Sequence, residues 1–296
     1  MREVAQRGRM FRLLISVTAL LYLTLAGVAA SAATVITHNY SDAAKEELAL
    51  EVLKLVLAND PSGTEYTYRS LKENVDEARL VEMLKDGSVN IMWAGAQESY
   101  ERELIPIRIP VFQGLLGHRV FIIRKGDQPM FDQVETLEDL KKIPLGQGRF
   151  WGDTAILKDN GFNVVTAVKY EGLFHMLEGG RFDYFPRGVH EPWSEMDSRP
   201  DLNLTVEKNL LLVYPFAMYF FVAKDNPELA KAITAGFMEA RRNGSYNELF
   251  FNHPVIKEAV EKSNLSQRKV FRIPNPNATP ETPIDKEEFW LDLDDL

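Results

Sequence analysis

Arg102, Arg108 and Arg119 punctuate a largely apolar stretch, SYERELIPIRIPVFQGLLGHRVFIIRK (residues 99–125). A guanidinium in apolar surroundings is costly unless an anion meets it, and its planar fork suits a carboxylate. The chemistry to look for is therefore anion capture, set against an ordinary ion pair at each position. Arg102 has Glu101 and Glu103 beside it. Arg108 shares a strand face with Pro106 and Pro110, turned either to a cleft or to solvent. Arg119 opens the next strand, where a structural ion pair is expected. Three rings, Tyr40, Trp93 and Trp151, end predicted strands or follow them, at the edge where α/β sheets receive ligands. Packing in the core is the competing use of each ring. Asp153 and Thr154 start a predicted helix, where they can cap it or offer polar contacts.

Other chemistries lack their residues. The five histidines, His38, His118, His175, His190 and His253, show no metal-ligand spacing, and the chain has no cysteine. GQGRFWG lacks the lysine of a phosphate-binding loop and the spacing of a dinucleotide fingerprint, and no G-x-S-x-G is present. No enzyme, cofactor or metal is expected. With 34 basic against 43 acidic residues, a formal charge of −9 also argues against nucleic acid or an anionic membrane as partner.

The elements that must position these residues alternate. ATVITHNY reads as a strand and SDAAKEELALEVLKLVL as a helix capped by Ser41 or Asp42. TEYTYRS, NVDEARLVEMLKDG and VNIMWAG then read as strand, helix and buried strand. A second series follows: HRVFIIRK, TLEDLKK, IPLGQG, DTAILKDNG, FNVVTAV, YEGLFHMLEGG and RFDYFP. Such alternation predicts an α/β fold with mainly parallel sheets, in two units with a cleft between them. YPFAMYFFVAK is a further strand. DNPELAKAITAGFMEARRNG is a helix bounded by Asn226, Pro227 and Gly244, with Gly236 inside it suggesting close packing. Residues 273–296 are rich in proline and acid and predict an extended tail whose Phe289–Trp290 pair can dock on the body.

The first 32 residues read as a signal peptide: four arginines, the run LLISVTALLYLTL, and Ala30-Ser31-Ala32 as the cleavage site after Ala32. Loss of those arginines and Glu3 takes the formal charge to −12. No later run reaches spanning length, and the missing cysteine excludes a lipid anchor, so a soluble periplasmic monomer is expected.

This order resembles the periplasmic solute-binding proteins of amino-acid ABC transporters, solute-binding protein family 3. The resemblance rests on LVEMLKDGSVNIMWAG with SYER, ETLEDLKKIPLGQG, MLEGGRFDYF, and AMYFFVAKDNPELAKAITAGFMEARRNGSYNELF. It implies a type II periplasmic-binding-protein fold with lobe 1 from residues 33–115 and 214–272 and lobe 2 from 116–213. Two hinge strands would join the lobes. It further implies that Arg102 holds the ligand's carboxylate, that Tyr40 packs on the ligand, and that an ABC permease receives it. A membrane receptor is the alternative partner, and a dehydratase-like enzyme on the same fold a more distant one. One departure bears on the ligand. Gly188 stands where the family usually places the aspartate for an ammonium group, with Arg187 beside it. Either Arg187 meets a second anionic group of the ligand, or it pairs with Glu191 and leaves Asp153 for the ammonium.

Overall fold

β-Branched and aromatic residues set most of the strands, and strong punctuation sets the helices. The computed structural model describes residues 33–39 and 44–291. The cleavage site at Ala32, the predicted caps Ser41 and Asp42, and Tyr40 lie outside the described residues. Strands β1 (Thr34–His38) and β2 (Tyr66–Ser70) form a parallel pair. β3 (Ile91–Gly95) and β4 (Ile105–Ile107) flank β11 (Met218–Val222) in a three-stranded sheet. A seven-stranded sheet holds β5 (His118–Arg124), β6 (Leu145–Gly148), β7 (Val164–Ala167), β8 (Tyr184–Gly188), β9 (Leu204–Val206), β10 (Leu210–Val213) and β12 (Lys269–Arg272).

Mainly parallel sheets were expected, and the pairings are mixed. β5 runs antiparallel to β8, β9 and β10, and β11 antiparallel to β3 and β4. The physical reason is the two crossings between the sheets. The chain passes from β4 to β5 through Leu115–Gly117 and returns from β10 to β11 through Tyr214 and Phe216, so each strand next to a crossing enters its sheet reversed. β12, which the sequence groups with the first lobe, pairs with β10 in the seven-stranded sheet.

The helix Ala44–Ala58 packs on the helix Pro227–Arg242 so closely that a Cβ on Gly236 would lie 1.8 Å from the Val56 carbonyl oxygen. Asn226 caps the second of these by accepting from the Leu229 amide at 3.3 Å, Pro227 fills its first turn, and Gly244 ends it at φ +84°. Its buried face, with Leu229, Ile233, Phe237 and Ala240, joins one apolar core with β3 and β11, while Phe121, Tyr184, Leu212 and Phe271 centre another around β5, β8, β10 and β12. Among the described residues, no helix is long and apolar enough to cross a membrane.

Candidate functional site

The loop after β3 and the loop after β6 meet at one seam, and small residues make that approach possible. A Cβ on Gly152 would stand 2.7 Å from the Ala96 carbonyl oxygen, and one on Gly95 would lie 2.3 Å from the ring of Phe216 in the second crossing. Gln97 Nε2 donates to the Phe150 carbonyl at 3.2 Å, and the Tyr100 hydroxyl lies 3.4 Å from that oxygen and 3.1 Å from Glu77. Burial, reinforced by Glu77, pushes the Tyr100 phenol far above its ordinary range, so it stays a donor. The helix Gly152–Asp159 begins at this seam with Trp151 as its cap residue and no side-chain cap bond. No side chain caps its first-turn amides, and the positive end of its dipole lies at this end of the helix.

Behind the seam lies a buried charged network. Arg187, 3% exposed on β8, makes a bidentate pair with Glu195, Nε to Oε2 at 2.9 Å and Nη2 to Oε1 at 2.7 Å, and also bonds Glu191. The Trp151 and Phe185 rings each stand 4.9 Å from its Cζ. Tyr170 donates to Glu195 at 2.5 Å, and the Gly188 amide donates to Glu191 at 2.6 Å. Arg119, 2% exposed at the start of β5, pairs with Asp153 at 2.8 Å and Glu191 at 3.4 Å and donates Nε to the Tyr214 hydroxyl at 2.9 Å. Tyr214 and Gln147 both donate to Asp153, at 3.1 and 2.8 Å. Burial acts to lower both arginine pKa values, but Tyr214, Asp153 and Glu191 around Arg119, and Glu191 and Glu195 around Arg187, outweigh it and hold both above the ordinary arginine value. Gln147 is fully buried, and its Oε1 has no hydrogen-bond partner among the described residues. It is an acceptor that a bound solute or water can meet.

The residues selected from sequence separate into groups. Trp151, Asp153 and Arg187 come together, Trp151 at the seam and the other two in the network. The structure gives Arg187 both Glu191 and Glu195 as partners and gives Asp153 to Arg119, so the protein's own groups match the two charges. Arg119 is the structural ion pair its position suggested. Trp93 lies in the core at 3% exposure, stacked on His38 with ring centres 5.4 Å apart and donating to Glu46 at 2.5 Å. Arg102 and Arg108 stand elsewhere. In the helix Glu98–Glu103, Tyr100 is buried inward, so Arg102 falls on the outer face beside Glu98, 3.8 Å away, with 68% of its side chain exposed. Arg108 pairs with the buried Glu101 at 2.8 Å. Sequence reasoning did not place Gln97, Gln147, Tyr170, Glu195 or Tyr214 at the ligand site. Only Glu195 gave a signal, as a carboxylate in the turn after Arg187. Two cavities, of about 470 and 490 Å³, lie on the outer faces, one beside Ile105 and Ala230 and one around Asp60 and Tyr66.

No family model and no curated protein matches the sequence. Solved structures do match in fold. An ancestral arginine-binding protein bound to arginine is 16% identical, with a TM-score of 0.54 over 74% of this chain and 98% of that one. An arginine-specific periplasmic binding protein from Salmonella typhimurium is 17% identical, with a TM-score of 0.54 over 74% and 97%. A histidine kinase sensor domain similar to periplasmic binding proteins is 16% identical, with a TM-score of 0.53 over 75% and 96%. This is a type II periplasmic-binding-protein fold. Here the two crossings between the three- and seven-stranded sheets bring the ends of β3 and β6 face to face, at the edge where α/β sheets take ligands.

Proposed function

We propose that this chain is an extracytoplasmic solute-binding protein. It captures a small carboxylate-bearing solute, an amino acid or related organic acid, between two lobes and delivers it to an ABC permease. The lobes are residues 33–115 with 214–268, and residues 116–213 with β12, turning about Gly117 and Pro215. The observation that carries this reading is the seam: two strand-end loops from different sheets touch there, with a helix N-terminus, a ring and an orphan acceptor beside them. The solute carboxylate sits at the amides of Gly152 and Asp153, with Trp151 packed on its apolar part and Gln147 Oε1 accepting from a donor group. The buried network holds this floor rigid and is not consumed by any reaction. Export by the N-terminal segment brings the chain to its partner. A second reading, a sensor that signals to a membrane receptor, is favoured by the histidine kinase sensor domain of the same fold.

Native mass spectrometry of protein purified without unfolding should reveal a retained small acid. A thermal-shift panel of amino acids and organic acids should then show its class. A ligand at a hundred times its dissociation constant adds about 2.7 kcal/mol, which is worth several degrees at roughly 2–4 °C per kcal/mol. Absence of both retained solute and any shift across the panel overturns the reading.

A further inference from the structure

The tail after β12 touches both sheet systems and both crossings. At its start, the Pro274 carbonyl accepts from Asn160 Nδ2 at 3.0 Å, and Asn277 Nδ2 donates to Asp159 at 2.9 Å, so it is fastened to the end of the helix that begins at Gly152. Between these, Asn275 Nδ2 donates to the Pro215 carbonyl at 2.9 Å, in the second crossing. The Asn277 amide in turn bonds Asn275 Oδ1 at 2.9 Å, which closes a tight turn there. Two residues on, Thr279 donates to Glu101 at 2.8 Å, in the helix after β3. The far end is anchored in the first core: Phe289 is 4% exposed, Arg241 stands 5.1 Å over its ring, and the Leu291 amide donates to the Gln113 carbonyl at 2.8 Å. Trp290 covers Gly114, where a Cβ would be 2.3 Å from its ring, immediately before the first crossing.

We infer that residues 274–291 are a strap that holds the two halves in the closed arrangement. This rests on the hinge reading given above. The strap is bound to Asp159 and Asn160 on one side and to Glu101, Gln113 and Arg241 on the other. Rotation about Gly117 and Pro215 therefore has to stretch or release it. Its two ends differ in kind. The Phe289 end is buried and apolar, while the Asn275–Thr279 end is held by polar contacts near the surface, so release begins at the asparagines. The fold relatives described above are matched over 97–98% of their own length for two binding proteins, yet cover only 74% of this chain, which leaves room for an element that those proteins do not share. Capture in such a protein depends on two steps, closure over the solute and release of the strap.

The test uses unliganded protein, so it does not depend on knowing the solute. Small-angle scattering should give a radius of gyration near 18 Å for a compact chain of about 260 residues. In the double variant Asn277→Ala/Thr279→Val, which leaves Phe289 and Leu291 in place, the radius should rise, and amide exchange at Gly117 should speed up. A wedge variant, Gly152→Leu, is the control, because its side chain collides with Ala96 and must part the seam. If the wedge expands the protein and the strap variant does not, the strap is overturned while the hinge stands. If neither expands, the hinge reading falls and the strap with it.

Discussion

Arg187 and Arg102 carry the same guanidinium into opposite surroundings, and the surroundings decide what a substitution does. Arg187 is sealed with Glu191 and Glu195 and flanked by Trp151 and Phe185. Removing one partner of such a pair strands a buried charge, at about 3–5 kcal/mol. Glu195→Ala leaves Arg187 with Glu191 alone, so it should cost toward the lower end of that range, about 3 kcal/mol of the roughly 5–15 kcal/mol of an ordinary domain, and lower the urea midpoint. Arg102 has a single exposed partner at 3.8 Å, a contact worth about 0–1 kcal/mol. Arg102→Ala should leave stability within about 0.5 kcal/mol and solute affinity within about threefold. An equal loss in both variants would mean that Arg102 reaches the seam in the working protein. The pairing of Arg187 with Glu191 was visible as a spacing of four. Glu195 was not legible as the bidentate partner, because that depends on the turn at Glu191 folding the helix Pro192–Asp197 back over β8.

At the scale of elements, local punctuation was readable and pairing was not. Asn226, Pro227 and Gly244 mark the helix Pro227–Arg242 because capping and turn preferences act over a few residues. The directions of β5 and β11 depend on two crossings about a hundred residues apart, and the partner of β12 on a strand some sixty residues earlier. No local pattern carries either. Gly236 lies between these cases, since a glycine inside a good helix announces a close neighbour without naming it. Gly236→Ala gains about 1 kcal/mol of helix propensity but drives a Cβ to within 1.8 Å of the Val56 carbonyl. That neighbour is backbone and cannot turn aside, so the helices must separate. We expect a net destabilisation of about 1–3 kcal/mol in chemical unfolding, and a more stable variant would show that the two helices slide freely.

Across the whole molecule, the order of phrases pointed to a two-part binder, and the acidic composition argued against nucleic acid and anionic membranes as partners. The docking of the tail could be anticipated only at Phe289 and Trp290, because its asparagine contacts have no apolar signature. Of the three histidines buried among the described residues, His38 and His253 tie the molecule's stability to pH. Burial lowers the pKa of His38, with Lys54 adding to the effect and its contact to the Asn39 carbonyl opposing it. Burial also lowers that of His253, against the pull of Glu51 and Glu47. His253 Nδ1 accepts from the Val255 amide at 3.3 Å at the start of the helix Pro254–Ser263, so its next proton must land on the atom that caps that helix. As pH falls below about 6.5, the unfolded chain takes up protons that the folded chain refuses. Stability therefore rises with pH through this window and is lost on acidification, by no more than about 1.4 kcal/mol per pH unit for each histidine. Once pH lies below the lowered folded values, these groups cause no further loss. His253→Asn keeps an oxygen acceptor at the cap and removes the titration. Unfolding midpoints measured from pH 7.5 to 5 should fall less steeply in that variant than in the parent chain. Parallel slopes would place the acid sensitivity outside this helix start.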